Sequence, residues 1–350
     1  MSEEFIRVLQ GLSVSLHFGL MHVPAALGFF IALRCLRFPD LTVEGSFVFG
    51  QVVSAAFLYD SPSGGTAALI FATLGGGICG LITAFQNQVL KVPSFVCGIV
   101  TTFFVTSINY KLLFLAQRHI FSSAEQPAYP TDMQLPSNGI FEWAVQADRA
   151  SVTVGEYRLY ELMEVAVITL VVVVAVFLFL RSKTGLRLRA FGLHRRSGEV
   201  YSTQSSTAVY GGLFLSNALV GFSGALCAQA NRLSSIERGA NLLIPLLAAI
   251  VLGEFFVAEI WDKPLKKLFC QSKESTCQTP LVSRPLALTL SPCVGFVIYQ
   301  VMFILIAVVV LPDFTTLSMQ SKYWMTATLI LFIFIYRHLT GRAGEPEDVI

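Results

Sequence analysis

Four amide side chains, Asn109, Asn217, Gln229 and Gln300, stand inside long apolar runs of this chain, and one acid, Glu254, closes the apolar run LLIPLLAAIVLG. A polar group surrounded by hydrocarbon must find a hydrogen-bond partner or line a polar path. Each amide therefore either bonds a neighbouring helix or faces a passage for a polar solute. His17 and His22 lie in the first apolar run without a His, Asp or Glu beside them at metal-ligand spacing, so no metal site is expected. The seven cysteines are scattered, no pair has CxxC spacing, and Cys35, Cys79, Cys97, Cys227 and Cys293 read as small apolar packing residues. The densest charge is RSKTGLRLRAFGLHRR (Arg181–Arg196), with six basic and no acidic residues directly after the uncharged run Val165–Leu180. Such a stretch marks the cytoplasmic side of a membrane span. It is open to two readings, a plain loop in contact with anionic lipid or a docking segment for another protein.

Several chemistries lack their signature. There is no GxxxxGK[ST] loop to cradle nucleotide phosphates, no HExxH and no GxSxG. The chain is not expected to be an enzyme or to hydrolyse ATP itself. Nor is there a series of intramembrane Asp, Glu or Lys residues to relay protons or sodium.

The elements that position these residues are membrane helices. Hydrophobic residues make up 54% of the chain and charged ones 13%, with a mean hydropathy of +0.67, whereas a soluble protein would carry about twice that charge. The 24 basic and 22 acidic residues nearly balance, which argues against a nucleic-acid partner. A spanning helix needs roughly 20 mostly apolar residues. Nine candidates are read at 10–33, 46–59, 66–86, 94–116, 164–181, 207–230, 241–258, 288–311 and 324–340. The second and seventh are short, as for segments shielded by neighbours or re-entrant ones. The first is expected to be retained, because Glu3 and Glu4 precede it where a signal peptide would carry positive charge.

With Arg181–Arg196 inside, alternation places Arg34, Arg37, Lys91, Lys263, Lys266, Lys267, Lys273, Arg284, Arg337 and Arg342 inside as well. The N-terminus is then outside and the C-terminus cytoplasmic. The expected division is a first transmembrane half (1–117), an external segment (118–163), a connecting helix (164–181), a cytoplasmic segment (182–206), a second half (207–340) and a cytoplasmic tail (341–350). The external segment holds six acidic and three basic residues, with Pro127, Pro130 and Pro136 breaking any long helix. A long span, a polar linker and a short span occur twice, at 10–59 and 207–258, with linkers FPDLTVEGSF and NRLSSIERGAN. Duplicated units of this kind recur in transporters. Small residues at Gly212, Ser216, Gly224 and Ala228 share one helical face, and Gly75, Gly76, Gly77 and Gly80 crowd another span. Such faces serve tight packing within the subunit, a substrate path or a subunit interface. The expected fold is an all-α polytopic membrane protein.

Four passages, FPDLTVEGSFVFG (Phe38–Gly50), TGLRLRAFG (Thr184–Gly192), LSNALVGFSGALCAQ (Leu215–Gln229) and IVLGEFF (Ile250–Phe256), resemble permease subunits of bacterial ABC importers of the branched-chain amino-acid type. The subgroup they most resemble is the uncharacterised tryptophan/tyrosine permeases. The resemblance implies an inner-membrane, multi-pass permease that imports a small nutrient, with an aromatic or branched-chain amino acid favoured. It implies ATP and Mg bound on a separate ABC ATPase subunit, a second permease copy forming a homodimer, and an external substrate-binding protein, besides membrane lipid. The coupling segment would contain Arg187, Arg189, Gly192, His194, Arg195, Arg196 and Glu199. HRRSGEVYSTQ (His194–Gln204) departs there from the family's acidic, alanine-rich turn. Asp40, Thr42, Glu44, Gly45 and Ser46 resemble the family's entry to its first short span, and with Asn217, Gln229 and Glu254 they are the candidates for the translocation path. The rival reading is a secondary transporter or channel that works without an ATPase.

Overall fold

The computed structural model describes residues 3–60, 64–120, 131–136, 139–140, 153–154, 157–193, 202–239, 241–257 and 285–310, together with 326–328, 331 and 335. The described helices are α1 (Glu3–Phe30), α2 (Thr42–Asp60), α3 (Gly64–Gln88), α4 (Ser94–Ile120), α5 (Leu159–Arg181), α6 (Lys183–Leu193), α7 (Ser202–Asn231), α8 (Ile236–Gly239), α9 (Leu243–Phe256) and α10 (Pro285–Val310). Among the described residues, five helices are long and apolar enough to cross a membrane: the α1 region, α3, α4, α5 and α7. The segment expected at 324–340 falls almost wholly outside the described residues. Two short ribbons add to the all-α scheme. Strand β1 (Asp132–Gln134) pairs antiparallel with β4 (Leu233–Ser235), and β2 (Thr153–Val154) with β3 (Tyr157–Arg158).

Close helix approach sets the core, and glycine permits it. A Cβ on Gly50 would overlap the Gly221 carbonyl, and one on Gly76 would overlap that of Asn217. A Cβ on Gly224 would strike the Phe47 carbonyl. Backbones of α2, α3 and α7 thus meet with no side chain between them, where van der Waals contact rather than water exclusion drives association. The small-residue face read on the 207–230 span is a packing face shared between partners: Gly224 meets α2, while Gly212 and Ser216 meet Leu36 and α1. Its Ser216 hydroxyl also donates to the Gly28 carbonyl of α1 at 2.7 Å. The opposite situation holds on α4 and α5, whose Phe103, Leu170 and Val171 are more than 60% exposed, an apolar surface of the kind a membrane span offers to lipid.

Two stretches of irregular backbone lie inside this helical mass. The first follows α1, whose last turn widens into a π-turn (Ile31–Cys35) before Leu36–Leu41 leads into α2. The second follows α7 and runs through β4 and α8 into α9. Both begin at an arginine in the left-handed region, Arg37 (φ 51°) and Arg232 (φ 51°), a conformation that strains a side-chain-bearing residue and ends a helix. Leu36, Phe38, Asp40, Ser234 and Ser235 are buried. Such backbone survives at membrane depth only where protein groups satisfy it.

The duplicated hydropathy pattern acquires a geometry here. Helices α1 and α7 run antiparallel, since Met21 meets Ser223, Gly28 meets Ser216 and Leu36 meets Gly212. Helix α3 packs on α2 and α7, and α10 packs on α9 and α1. The units α1–α2–α3 and α7–α9–α10 therefore share one packing scheme in opposite orientation, the arrangement of inverted repeats.

Candidate functional site

Asp40 lies at the end of the first break, just before α2, and is fully buried. Its Oδ1 accepts the Thr42 N–H at 2.9 Å, so it holds the first N–H of α2, where a carboxylate also meets the positive end of the helix dipole. Its Oδ2 accepts from Asn217 Nδ2 at 2.6 Å, and the Asn217 Oδ1 accepts the Ser46 hydroxyl at 2.7 Å. The amide that hydropathy singled out on α7 is thus clamped between Asp40 of the break and Ser46 of α2. The Thr42 and Thr83 hydroxyls lie 2.7 Å apart, and Thr83 lies 3.0 Å from Thr101. Thr102 donates to the Leu41 carbonyl at 2.7 Å, and Asn109 Nδ2 to that of Gly45 at 3.2 Å. Together these bonds tie the break and the first turn of α2 to α3, α4 and α7.

The second break lies antiparallel against α2. Ser235 N–H donates to Gln51 Oε1 at 2.8 Å, and Leu243 N–H donates to Glu44 Oε1 at 3.3 Å. Between them, a Cβ on Gly239 would strike Val48. Side chains of α2 therefore satisfy the freed backbone of the second break, and the two breaks meet where Glu44 holds the first turn of α9. At 14 residues, α9 is roughly 20 Å long, short of the ~30 Å hydrocarbon core.

The other expected path residues lie apart from this cluster. Gln229 stands at the end of the bundle that carries the β1–β4 ribbon. It donates to the Gly65 carbonyl at 3.0 Å and accepts the Ile140 N–H at 3.1 Å. Glu254 stands at the C-terminal end of α9 and forms a bidentate ion pair with Arg34 of the π-turn, with Nε to Oε1 at 2.5 Å and Nη2 to Oε2. Thus Asp40, Thr42, Ser46 and Asn217 come together, Gly45 and Glu44 adjoin them, and Gln229 and Glu254 mark other levels. On α6, Arg187 is exposed and Arg189 buried, and Gly192 lies at the helix end. His194, Arg195, Arg196 and Glu199 lie outside the described residues.

Sequence reasoning missed Arg34, Gln51 and the threonine ladder as partners. Arg34 was read only as a topology marker, and the threonines carry no signal because hydroxyls are unremarkable within apolar spans. It also missed the setting of His22, whose ring stacks between Phe47 and Phe296 with centroids 5.5 and 5.4 Å away.

Segment 118–163 is docked on the bundle where it is described. Tyr59 donates to the Gln134 carbonyl, Gln117 to that of Asp132 at 3.2 Å, and Arg232 pairs with Glu161 at 3.8 Å. The β1–β4 pairing puts this segment and the 231–241 linker at the same end of the bundle, as the charge alternation requires.

A buried, helix-broken core with an inverted repeat defines a membrane transport protein. The chain belongs to the family described as the permease component of branched-chain amino acid transport systems, whose model matches residues 9–259. It is 28% identical over 267 residues to an uncharacterized protein, RP368, of Rickettsia prowazekii (strain Madrid E), covering 74% of this chain and 82% of that one. It is 24% identical over 234 residues to a tyrosine transport system permease protein of Clostridioides difficile (strain R20291), covering 65% of this chain and 68% of that one. No solved structure matches it.

Proposed function

We propose that this chain is the transmembrane subunit of an ATP-driven importer for an amino acid, with an aromatic one favoured by the relative whose name specifies tyrosine. ATP and Mg would be held by separate ATPase subunits, which dock on α6 and the residues that follow it, His194 to Glu199 included. A second copy of the chain and an external binding protein would complete the machine in a bacterial inner membrane. The α6 end would face the cytoplasm and the ribbon end the outside, with the C-terminus cytoplasmic.

The observation that carries this reading is the meeting of two broken helices from oppositely oriented units at Glu44 and Leu243. Transporters of this architecture bind solute where discontinuous helices converge and alternate access by rocking one unit against the other. The decisive experiment is uptake of radiolabelled tyrosine, tryptophan and leucine into proteoliposomes containing this chain and its cognate ATPase and binding protein. Uptake that requires ATP is expected and should survive collapse of ion gradients. Uptake that follows a proton or sodium gradient without ATP would replace this reading by that of a secondary transporter.

A further inference from the structure

Arg34 and Glu254 are separated by 220 positions in the chain, yet they form a two-point ion pair whose side chains are only 12% and 19% exposed. They belong to opposite units. Arg34 lies in the π-turn that ends α1, and Glu254 lies in the last turn of α9. A π-turn adds a residue to a helix at the expense of regular hydrogen bonding and is found mostly where a helix has work to do. Here it sits at the only described level where a charge on one unit is matched by a charge on the other.

Two further features single out this pair. Helix α9 is fixed at its opposite end, where Leu243 N–H meets Glu44 of α2. The other end of α9 has two links, the backbone contact of Gly253 with the Ser291 carbonyl of α10 in its own unit and the ion pair to the opposite unit, so the ion pair is the charged bond that would part if α9 and α10 swung together. The second feature is α6. Leu36, two residues beyond Arg34, and Leu188 of α6 both press on the space above Gly212 of α7, so that a Cβ there would strike both leucines. Arg189, next to Leu188, is buried as well, and α6 packs on the π-turn itself. A displacement of α6 is thus transmitted to the turn that carries Arg34.

We infer that Arg34 and Glu254 are the latch of the transport cycle: their pairing holds α1 of the first unit to α9 of the second at the α6 end, and movement of α6 releases it. The assignment rests on the permease reading above. A charge pair suits this role because, partly shielded, it is stable while made, and because its partners can be hydrated once separated, whereas an interdigitated apolar contact has no hydrated alternative. Arg37, exposed just beyond the turn, and the buried Arg189 of α6 are further basic groups on the elements that pack at this level.

Cys35 is a built-in reporter, being a free and fully buried cysteine on the π-turn itself. The full-length protein in lipid nanodiscs is treated with N-ethylmaleimide, and alkylation of each cysteine is followed by peptide mass spectrometry. Arg34→Gln and Glu254→Gln should each speed alkylation of Cys35 roughly tenfold by populating the open turn, with Cys97 and Cys227 labelled as slowly as in the wild type. The charge-reversed pair Arg34→Glu with Glu254→Arg should return Cys35 to near the wild-type rate. Wild-type labelling of Cys35 in the single variants would overturn the latch. So would a rise at Cys35, Cys97 and Cys227 together, which would mark the pair as general scaffolding, and so would a reversed pair that labels as fast as the single variants. The same proteins are assayed for ATP-dependent uptake. Wild-type uptake with unchanged Cys35 labelling in the variants counts against the latch alone, whereas absence of any uptake by the wild type counts against the permease reading on which the latch rests.

Discussion

At the scale of single residues, Asp40 ties the start of α2 to α7. It accepts the first N–H of α2, accepts from Asn217 and, through Asn217, is linked to Ser46. Replacing it by Ala leaves the buried Thr42 N–H without its side-chain acceptor and Asn217 Nδ2 with the Leu213 carbonyl alone. Asp40→Ala should destabilise the protein by about 2 kcal/mol, read as a lower unfolding temperature in detergent. Asp40→Asn keeps one acceptor for the Thr42 N–H but turns a donor towards Asn217 Nδ2, and it should recover part of that loss. Equal losses for the two variants would mean that the Thr42 bond contributes little and that the acceptor facing Asn217 holds the cluster. Gln51 makes a parallel case at the second break. Gln51→Ala leaves the buried Ser235 N–H without its acceptor and should cost about 1–3 kcal/mol by the same measurement, whereas a surface glutamine would cost almost nothing. Asn217 and Gln229 could be picked out from sequence because an amide in an apolar run is conspicuous. Their partners could not, because a carboxylate 177 positions away and a backbone N–H 89 positions away leave no local trace.

At the scale of elements, glycine placement decides how closely α2, α3 and α7 approach. A Cβ at Gly221 would overlap the Ala72 carbonyl, while at Gly211, on the same helix, it would meet nothing within 4 Å. Gly221→Ala should therefore destabilise by about 1–3 kcal/mol or forbid assembly, and Gly211→Ala should be neutral or slightly stabilising through helix propensity. Size-exclusion profiles and unfolding temperatures of the two variants, compared side by side, test this; matched behaviour would show that the α3–α7 contact is looser than described. The spans themselves were legible in the chain because some 20 consecutive apolar residues have few other uses. Their ends were less so. Helix α4 runs to Ile120 and α5 begins at Leu159, beyond the apolar limits, because polar turns can continue a helix once membrane packing has nucleated it.

At the scale of the whole molecule, the inverted packing of α1–α2–α3 and α7–α9–α10 makes a topological prediction. The ribbon and α6 lie at opposite ends of the bundle, so a cysteine introduced at Asp132 and one at Arg187 should react with a membrane-impermeant maleimide from opposite sides of intact and inverted vesicles. Labelling of both from one side would overturn the arrangement. The sequence by itself determined that this is a multi-pass helical membrane protein, where its charges sit along the chain, which family it resembles and that the span at 241–258 is short, whereas the one expected at 46–59 extends to the 19 residues of α2. Those properties are written in composition and local runs, which each segment carries independently. Only the tertiary structure decided that the two polar linkers become buried breaks, that Glu44 and Gln51 of α2 satisfy the second of them, and that Arg34 finds Glu254. The reason is that a hydrogen bond or an ion pair inside a membrane is chosen by proximity in three dimensions. Proximity here is set by backbone contacts at Gly50, Gly76 and Gly224, whose consequences appear only when three helices are already in place.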